Sequence, residues 1–272
     1  MAPANIMTTL PTPQIRFDDG ASYERYMGVW SQLAGEIFLD WLAPAPGWRW
    51  LDVGCGNGAF SELLARRCAP DAIEGIDPSE AQLAFARTRD ALSGIAQFGR
   101  GDAMALPFAD DSFDAAVMPL VIFFVPVPAT GVAEMARVVR PGGLVAAYAW
   151  DVTGGGFPYH VLHAEMRALG MVVPSEPSRD ASRRDVQEDL WRGAGLQDVE
   201  TREITVQRTF ADFDDYWTTA LGAPSVGKAL TAMEGAQRTE LTTRLRARLV
   251  ADEAGRITPR ARANAVRGRV PR

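Results

Sequence analysis

With 272 residues, 47% of them apolar and 23% charged, the chain has room for one large domain or two small ones, and one core is the expectation. A formal net charge of −6 argues against a general nucleic-acid binder, which needs a basic face for phosphate contacts, and no stretch approaches the ~20 apolar residues of a membrane span. Two cysteines, Cys55 and Cys68, give neither a disulfide framework nor a zinc pattern, so no metal site is expected and a reducing cytoplasm fits.

Residues 1–19 are rich in Pro and Thr, lack periodicity, and read as a flexible arm; Met1 to Gln14 hold no basic region followed by an apolar core. A single domain is expected over 20–272. Tyr23, Tyr26, Met27 and Trp30, then Leu33, Ile37, Phe38 and Trp41, keep the three-and-four spacing of a helix. From Trp30 onward that stripe suits core packing, whereas Tyr23 and Tyr26 precede its firm part and suit a pocket mouth.

Pro44, Pro46 and Gly47 break the chain before a first strand at Trp48–Asp52. A helix at Ala59–Arg67, a strand at Ala72–Ile76, a helix reaching about Asp90, and strands at Ala96–Gly99 and Phe113–Met118 follow. Val132, Met135, Ala136 and Val139 mark another helix, ended by Pro141-Gly142-Gly143 before a fifth strand at Leu144–Ala149. Beyond Trp150-Asp151 the alternation loosens. Residues 152–181 read as an insertion, followed by a helix near Arg183–Arg192, a strand near Val199–Phe210, a polar helical segment at 213–250 and a last strand near Ala263–Val270. Arg244, Arg246, Arg248, Arg256, Arg260, Arg262, Arg267, Arg269 and Arg272 crowd this last part and read as a solvated basic face. Such alternation argues for a Rossmann-like, doubly wound α/β sheet whose ligand loops gather at the strands' carboxyl ends.

The chemistry concentrates in Leu51-Asp52-Val53-Gly54-Cys55-Gly56-Asn57-Gly58. Strand, glycine loop and helix form a cradle: glycines let backbone approach a ligand, and the helix start offers free N–H groups. Gly54, Gly56 and Ala59 equally fit the dinucleotide fingerprint of a nicotinamide-dependent oxidoreductase. Asp77, 23 residues beyond Gly54 at the end of the second strand, is placed to accept both hydroxyls of a ribose. Asp102, beyond the third strand and followed by Ala103, can accept an adenine amine while backbone N–H meets a ring nitrogen; a loop-capping role is its plainer alternative.

These stretches, together with Gly75-Ile76-Asp77-Pro78-Ser79, Gly101-Asp102-Ala103-Met104-Ala105-Leu106-Pro107-Phe108, Phe113-Asp114 and Arg137-Val138-Val139-Arg140-Pro141-Gly142-Gly143, resemble class I S-adenosylmethionine-dependent methyltransferases of the small-molecule, ubiquinone and menaquinone type. The likeness covers about residues 20–150. It implies a seven-stranded sheet, mostly parallel with the last strand antiparallel, and S-adenosylmethionine as cofactor. It further implies a methionine end held by Asp52 and the loop residues Gly54, Cys55, Gly56 and Gly58, with Tyr23 reaching the same moiety, ribose by Asp77 beside Pro78, and adenine by Asp102, Ala103 and Met104, with Met118 nearby. The family often has an acid before the proline opening the helix after strand four; here Val127 precedes Pro128.

Methyl transfer asks mainly for alignment, because the sulfonium is already electrophilic. His160 and His163, the only histidines, are the candidate bases, with surface or packing roles as the alternative. Both cysteines lie away from the fourth strand, against cytosine C5 chemistry, and Met118-Pro119-Leu120-Val121 stands where amino-group methyltransferases carry a polar, proline-containing loop. Apolar Leu120 to Phe124 suit a hydrophobic or aromatic small-molecule acceptor. Segments 20–43, 152–181 and 212–258 are expected to form its lid, with Tyr26, Trp30, Tyr159, Tyr216 and Trp217 as substrate-binding candidates and helix packing as their alternative. A cofactor-binding protein without transferase activity stays open beside these readings.

Overall fold

The computed structural model describes residues 24–272. Seven strands, β1 (Arg49–Val53), β2 (Ala72–Asp77), β3 (Ala96–Arg100), β4 (Phe113–Pro119), β5 (Val139–Trp150), β6 (Gln197–Gln207) and β7 (Arg260–Arg269), form one sheet in the order β3-β2-β1-β4-β5-β7-β6. β1 to β5 pair in parallel, and β7 runs antiparallel between β5 and β6, as the motifs implied. The order reverses between β1 and β4. That switch point opens a crevice at the carboxyl ends.

Burial follows position. β4 and β5 are covered on both faces, which is why Ala115 to Met118 and Val145 to Trp150 are continuous apolar runs, whereas the edge strand β3 is largely exposed. α1 (Val29–Leu42), entered through a π-helical turn at Glu24–Gly28, buries Trp30, Ala34, Phe38, Leu39 and Leu42. It approaches α2 (Ala59–Cys68) closely at Gly35, where a Cβ would lie 2.6 Å from Leu63 Cδ2. Phe38 also meets Tyr148 of β5, with ring centroids 4.8 Å apart. The first predicted aromatic stripe is therefore core from Trp30 onward. Tyr23 lies outside the described residues.

α3 (Glu80–Ala86) starts at Ser79, whose hydroxyl accepts from the Gln82 N–H, and stops well before Asp90. α4 (Pro128–Val138) opens on a proline, whose missing N–H costs nothing in a first turn. The expected polar helical segment divides into α7 (Phe213–Leu221), α8 (Gly227–Ala232) and α9 (Gly235–Arg248). α5 (His160–Ala168) lies within the predicted insertion and α6 (Arg184–Gly193) follows it. Glu165 of α5, nearly buried, accepts from Arg248 of α9 at 2.8 Å and so joins two of these helices.

β5 begins earlier than its apolar pattern suggested. Phe113 pairs with Val139 and Ala115 with Leu144, so Arg140-Pro141-Gly142-Gly143 bulges out of the ladder. Gly142 takes φ +77°, and a Cβ on Gly143 would meet Asp114 O at 2.7 Å and Arg140 O at 2.9 Å, neither of which can yield like a side-chain tip. Gly143→Ala should therefore lower unfolding free energy by about 1–3 kcal/mol, as overpacking does. A urea titration with unchanged midpoint would remove the steric explanation for this glycine.

Candidate active site

At the switch point the chain leaves β1 through three left-handed glycines, Gly54 (φ +74°), Gly56 (φ +52°) and Gly58 (φ +79°). The first is doubly constrained, because a Cβ there would lie 2.6 Å from both methyls of Val121. The N–H groups of Gly54 and Cys55 both donate to Ile76 O, at 2.8 and 2.9 Å, and tie the loop to the end of β2. Gly56 N–H then donates to Asp77 Oδ2 at 3.0 Å, while Ser79 N–H donates to Asp77 Oδ1 at 2.8 Å. Each carboxylate oxygen keeps further acceptor capacity.

Above this loop lies a cavity of about 280 Å³. Asp52, Gly54, Cys55, Gly56, Asp77 and Pro78 line it, as do Ser31 of α1 and Leu120, Val121 and Phe124 from the β4–α4 connection. Asp52 has no exposed surface; Oδ2 accepts from Ser61 Oγ at 2.7 Å, and Oδ1 has no partner among the described residues. Burial pushes its carboxyl up to about 7, opposed by the Ser61 hydrogen bond and assisted by the nearby Asp77 charge. Burial likewise raises Asp77, offset by its two backbone donors. The Cys55 thiol is pushed well above its ordinary range by burial and then by Asp52 and Asp77, which leaves it an inert wall rather than a nucleophile.

The other cofactor candidates do not line the cavity. Gly58 packs on α3, where its Cβ would meet Ala86 Cβ at 3.0 Å. Asp102 is exposed and its Oδ1 accepts from Met104 N–H at 2.9 Å, the loop-capping arrangement; Ala103 belongs to the same turn. Met118 is fully buried in β4, with Cε 3.7 Å from the position of a Cβ on Gly131.

Three polar residues that the sequence reading did not single out bind the start of the described chain to the glycine loop. Glu24 Oε2 accepts from Asn57 Nδ2 at 2.7 Å and Arg89 Nη2 at 2.9 Å, and Arg89 Nε donates to Asn57 O at 2.6 Å. Partners this remote in sequence leave no periodic trace.

A smaller chamber, about 50 Å³ as it stands, shares Leu120 and Phe124 with the first. Tyr26 and Met27, then Trp150, Phe157, His163 and Glu176, then Pro224 and Ser225 complete it, so each of the three segments outside the α/β alternation contributes. Leu120 itself holds φ +61°, a left-handed conformation costing roughly 1–2 kcal/mol for a residue with a Cβ. Its N–H donates to Tyr148 O at 2.7 Å, which secures that geometry.

Tyr26 is the one aromatic substrate candidate on this wall, stacked on Tyr159 with centroids 4.2 Å apart. Tyr159 lies behind it, donating to Tyr26 O at 3.0 Å, and burial pushes its phenol up to about 12. Trp30, Tyr216 and Trp217 are buried in packing: Tyr216 contacts Tyr159, Phe210 and Phe213, and Trp217 stacks on Phe213. For these three the helix-packing alternative describes their surroundings. His163 lines both the chamber and a neighbouring recess, whereas His160 lines the recess alone, its Nδ1 3.2 Å from Phe157 O. Burial, with Arg167 and His160 adding to it, drives His163 down to about 3, so its imidazole is neutral at ordinary pH and a weak proton acceptor.

Residues 51–147 match a family described as methyltransferase domain. The chain is 31% identical over 156 residues to the phthiotriol/phenolphthiotriol dimycocerosates methyltransferase of Mycobacterium tuberculosis, covering 57% of this chain and 53% of that one. It is 38% identical over 111 residues to the ubiquinone/menaquinone biosynthesis C-methyltransferase of Roseobacter denitrificans, covering 40% and 44%. The chain thus spans about half the length of these relatives. In fold it is similar to phosphoethanolamine N-methyltransferase 2 of Haemonchus contortus, solved with S-adenosyl-L-methionine, at a TM-score of 0.55, 17% identity, and coverage of 94% and 58%. Residues 51–147 thus match a methyltransferase-domain family, and they lie on the seven-stranded, mostly parallel sheet that the motifs implied.

Asp52 gives a testable pH dependence without ligand. Between the ordinary value of 3.8 and about 7 the native state binds more protons than the unfolded chain, so stability falls as pH rises through that window and levels off above it. Asp52→Asn removes most of that fall and should raise the apo melting temperature at pH 8 relative to the parent, with little change at pH 4. Equal parent and variant profiles across this range would contradict the raised carboxyl.

Proposed function

We propose that the protein binds S-adenosylmethionine over the glycine loop and transfers its methyl group to a small apolar molecule in the adjoining chamber. The observation that carries this reading is the cavity itself: an unpartnered Asp52 oxygen and the two Asp77 oxygens face a glycine cradle that abuts an apolar chamber. Those residues fit the cofactor. A buried carboxylate oxygen without a donor suits an ammonium, and paired carboxylate oxygens suit a vicinal diol.

In this assignment Asp52 receives the ammonium of the methionine end, the start of α2 offers its N–H groups to the carboxylate, and Asp77 accepts from the ribose hydroxyls. Asp102, Ala103 and Met104 follow the neighbouring strand β3 and are assigned to the adenine end, with Asp102 released from its present cap. Once bound, the cofactor supplies an electrophilic methyl, so little proton chemistry is demanded of the protein. Leu120 and Phe124, common to both spaces, fix where an acceptor can meet that methyl, and the surrounding apolar wall excludes water. The acceptor is a small molecule rather than nucleic acid, consistent with the apolar chamber and the chain's net charge of −6. Among the described residues no helix is long and apolar enough to cross a membrane, and both cysteines are free thiols, which suits the reducing cytoplasm we assign.

Calorimetry should detect S-adenosylhomocysteine and not NAD(H); the reverse would establish an oxidoreductase. Asp77→Ala should weaken S-adenosylhomocysteine by about 1.5–3 kcal/mol, the scale of hydrogen bonds to a charged group. Because a cation beside Asp52 favours its ionised form, binding should release a proton below pH 7 and tighten as pH rises from 5 to about 7. Affinity independent of pH would move the ammonium away from Asp52. Release of S-adenosylhomocysteine in a screen of apolar phenols, alcohols and amines would establish transfer, and binding without turnover across the screen would favour a non-catalytic role.

A further inference from the structure

The small chamber holds two polar groups that the fold leaves without partners. Trp150 Nε1 and His163 Nε2 are both buried and make no hydrogen bond among the described residues, although both side chains line this space. Each orphaned buried group is destabilising, because it has given up hydrogen bonds to water without replacing them. Other buried side-chain nitrogens, such as Trp50 Nε1 and Trp217 Nε1, are orphaned too, but Trp150 and His163 belong to residues that line one common space, where a single occupant could satisfy both.

Their chemistry narrows that occupant. An indole N–H only donates, so the group facing Trp150 must accept. His163 is neutral, and its ring is held by Phe157, stacked at 5.1 Å and 28°. If Nε2 carries the lone pair, its partner must donate; if Nε2 carries the proton, its partner must accept. A hydroxyl meets the indole requirement and either imidazole requirement, since it donates once and accepts twice. An ammonium cannot accept from Trp150. A carboxylate would share the chamber with Glu176, whose nearest cation, Arg179, lies 3.7 Å away and already pairs with it. The remaining wall is apolar, with Met27, Phe123 and Pro224 among its surfaces.

We propose that Trp150 and His163 form a recognition pair for a neutral hydroxyl on an otherwise apolar acceptor. The inference rests on the chamber being the acceptor site of the reading above. The pair positions the acceptor next to Leu120 and Phe124; it determines specificity and is not required for breaking the methyl–sulfur bond.

The experiment uses the full chain saturated with S-adenosylhomocysteine and four probes of one shape: 4-methylphenol, 4-methylbenzoate, 4-methylaniline and toluene. Their dissociation constants are measured by ligand-observed NMR titration at pH 7.5. The phenol should bind at least tenfold more tightly than each of the others. Trp150→Phe and His163→Phe, each checked by thermal melting, should cut that advantage to below threefold while toluene affinity stays within twofold. A merely structural role would instead weaken all four probes together. Preference for the carboxylate or amine, or a phenol advantage that persists in both variants, would overturn the proposal. Failure of S-adenosylhomocysteine to bind, with the phenol preference intact in ligand-free protein and lost in both variants, would overturn the cofactor assignment and leave the recognition pair standing.

Discussion

One carbonyl, Ile76 O, receives the N–H groups of both Gly54 and Cys55, and the geometry of the site follows from that convergence. The two bonds hold the turn after β1 against the end of β2, which brings Gly56 N–H to Asp77 and lets the acid stand at the edge of the cradle. Left-handed glycines make the turn, and Val121 fills the space that a side chain on Gly54 would need. The same valine belongs to the connection that leads into the apolar chamber. A small number of backbone contacts therefore fixes the relative position of both spaces before any ligand arrives.

Burial acts on Asp52 of the first space and His163 of the second in opposite directions with one result. It raises Asp52 and lowers His163, so each favours its uncharged form near neutrality. The difference lies in what a ligand can reverse. A cation restores the charge of Asp52, whereas the acid on the wall that His163 shares, Glu176, already pairs with Arg179, leaving hydrogen bonding as the interaction open to the imidazole.

The sheet was legible because its central strands are buried on both faces and its connecting helices carry regular apolar stripes. Asp52, Gly54, Gly56 and Asp77 were legible because a tight turn with a close backbone approach admits few residue types. Tyr216 and Trp217 illustrate the opposite case. Helical spacing shows that aromatic side chains share a face, but not whether that face meets a cavity or another helix; here it meets Phe210, Phe213 and Tyr159. Glu24, Asn57 and Arg89 join positions far apart in the chain, which no local pattern encodes. Trp150 read only as the residue just past the fifth strand, because an unsatisfied indole N–H is a property of packing. Pro141-Gly142-Gly143 read as a helix stop, but the helix ends earlier, at Val138, and the triplet lies inside β5, where the ladder resumes around it through a bulge that side-chain periodicity does not report.

Leu120 contributes to both walls and does so from a strained backbone setting. Changing its side chain alters the cavity over the glycine loop and the smaller chamber together, and changing its conformation moves the end of β4. Phe157, Pro174 and Pro224 of the smaller chamber, by contrast, come from peripheral segments that line no part of the cavity over the glycine loop. On the proposed reading of the two spaces, that separation makes Phe157, Pro174 and Pro224 the rational starting point for a directed-evolution library aimed at a new acceptor.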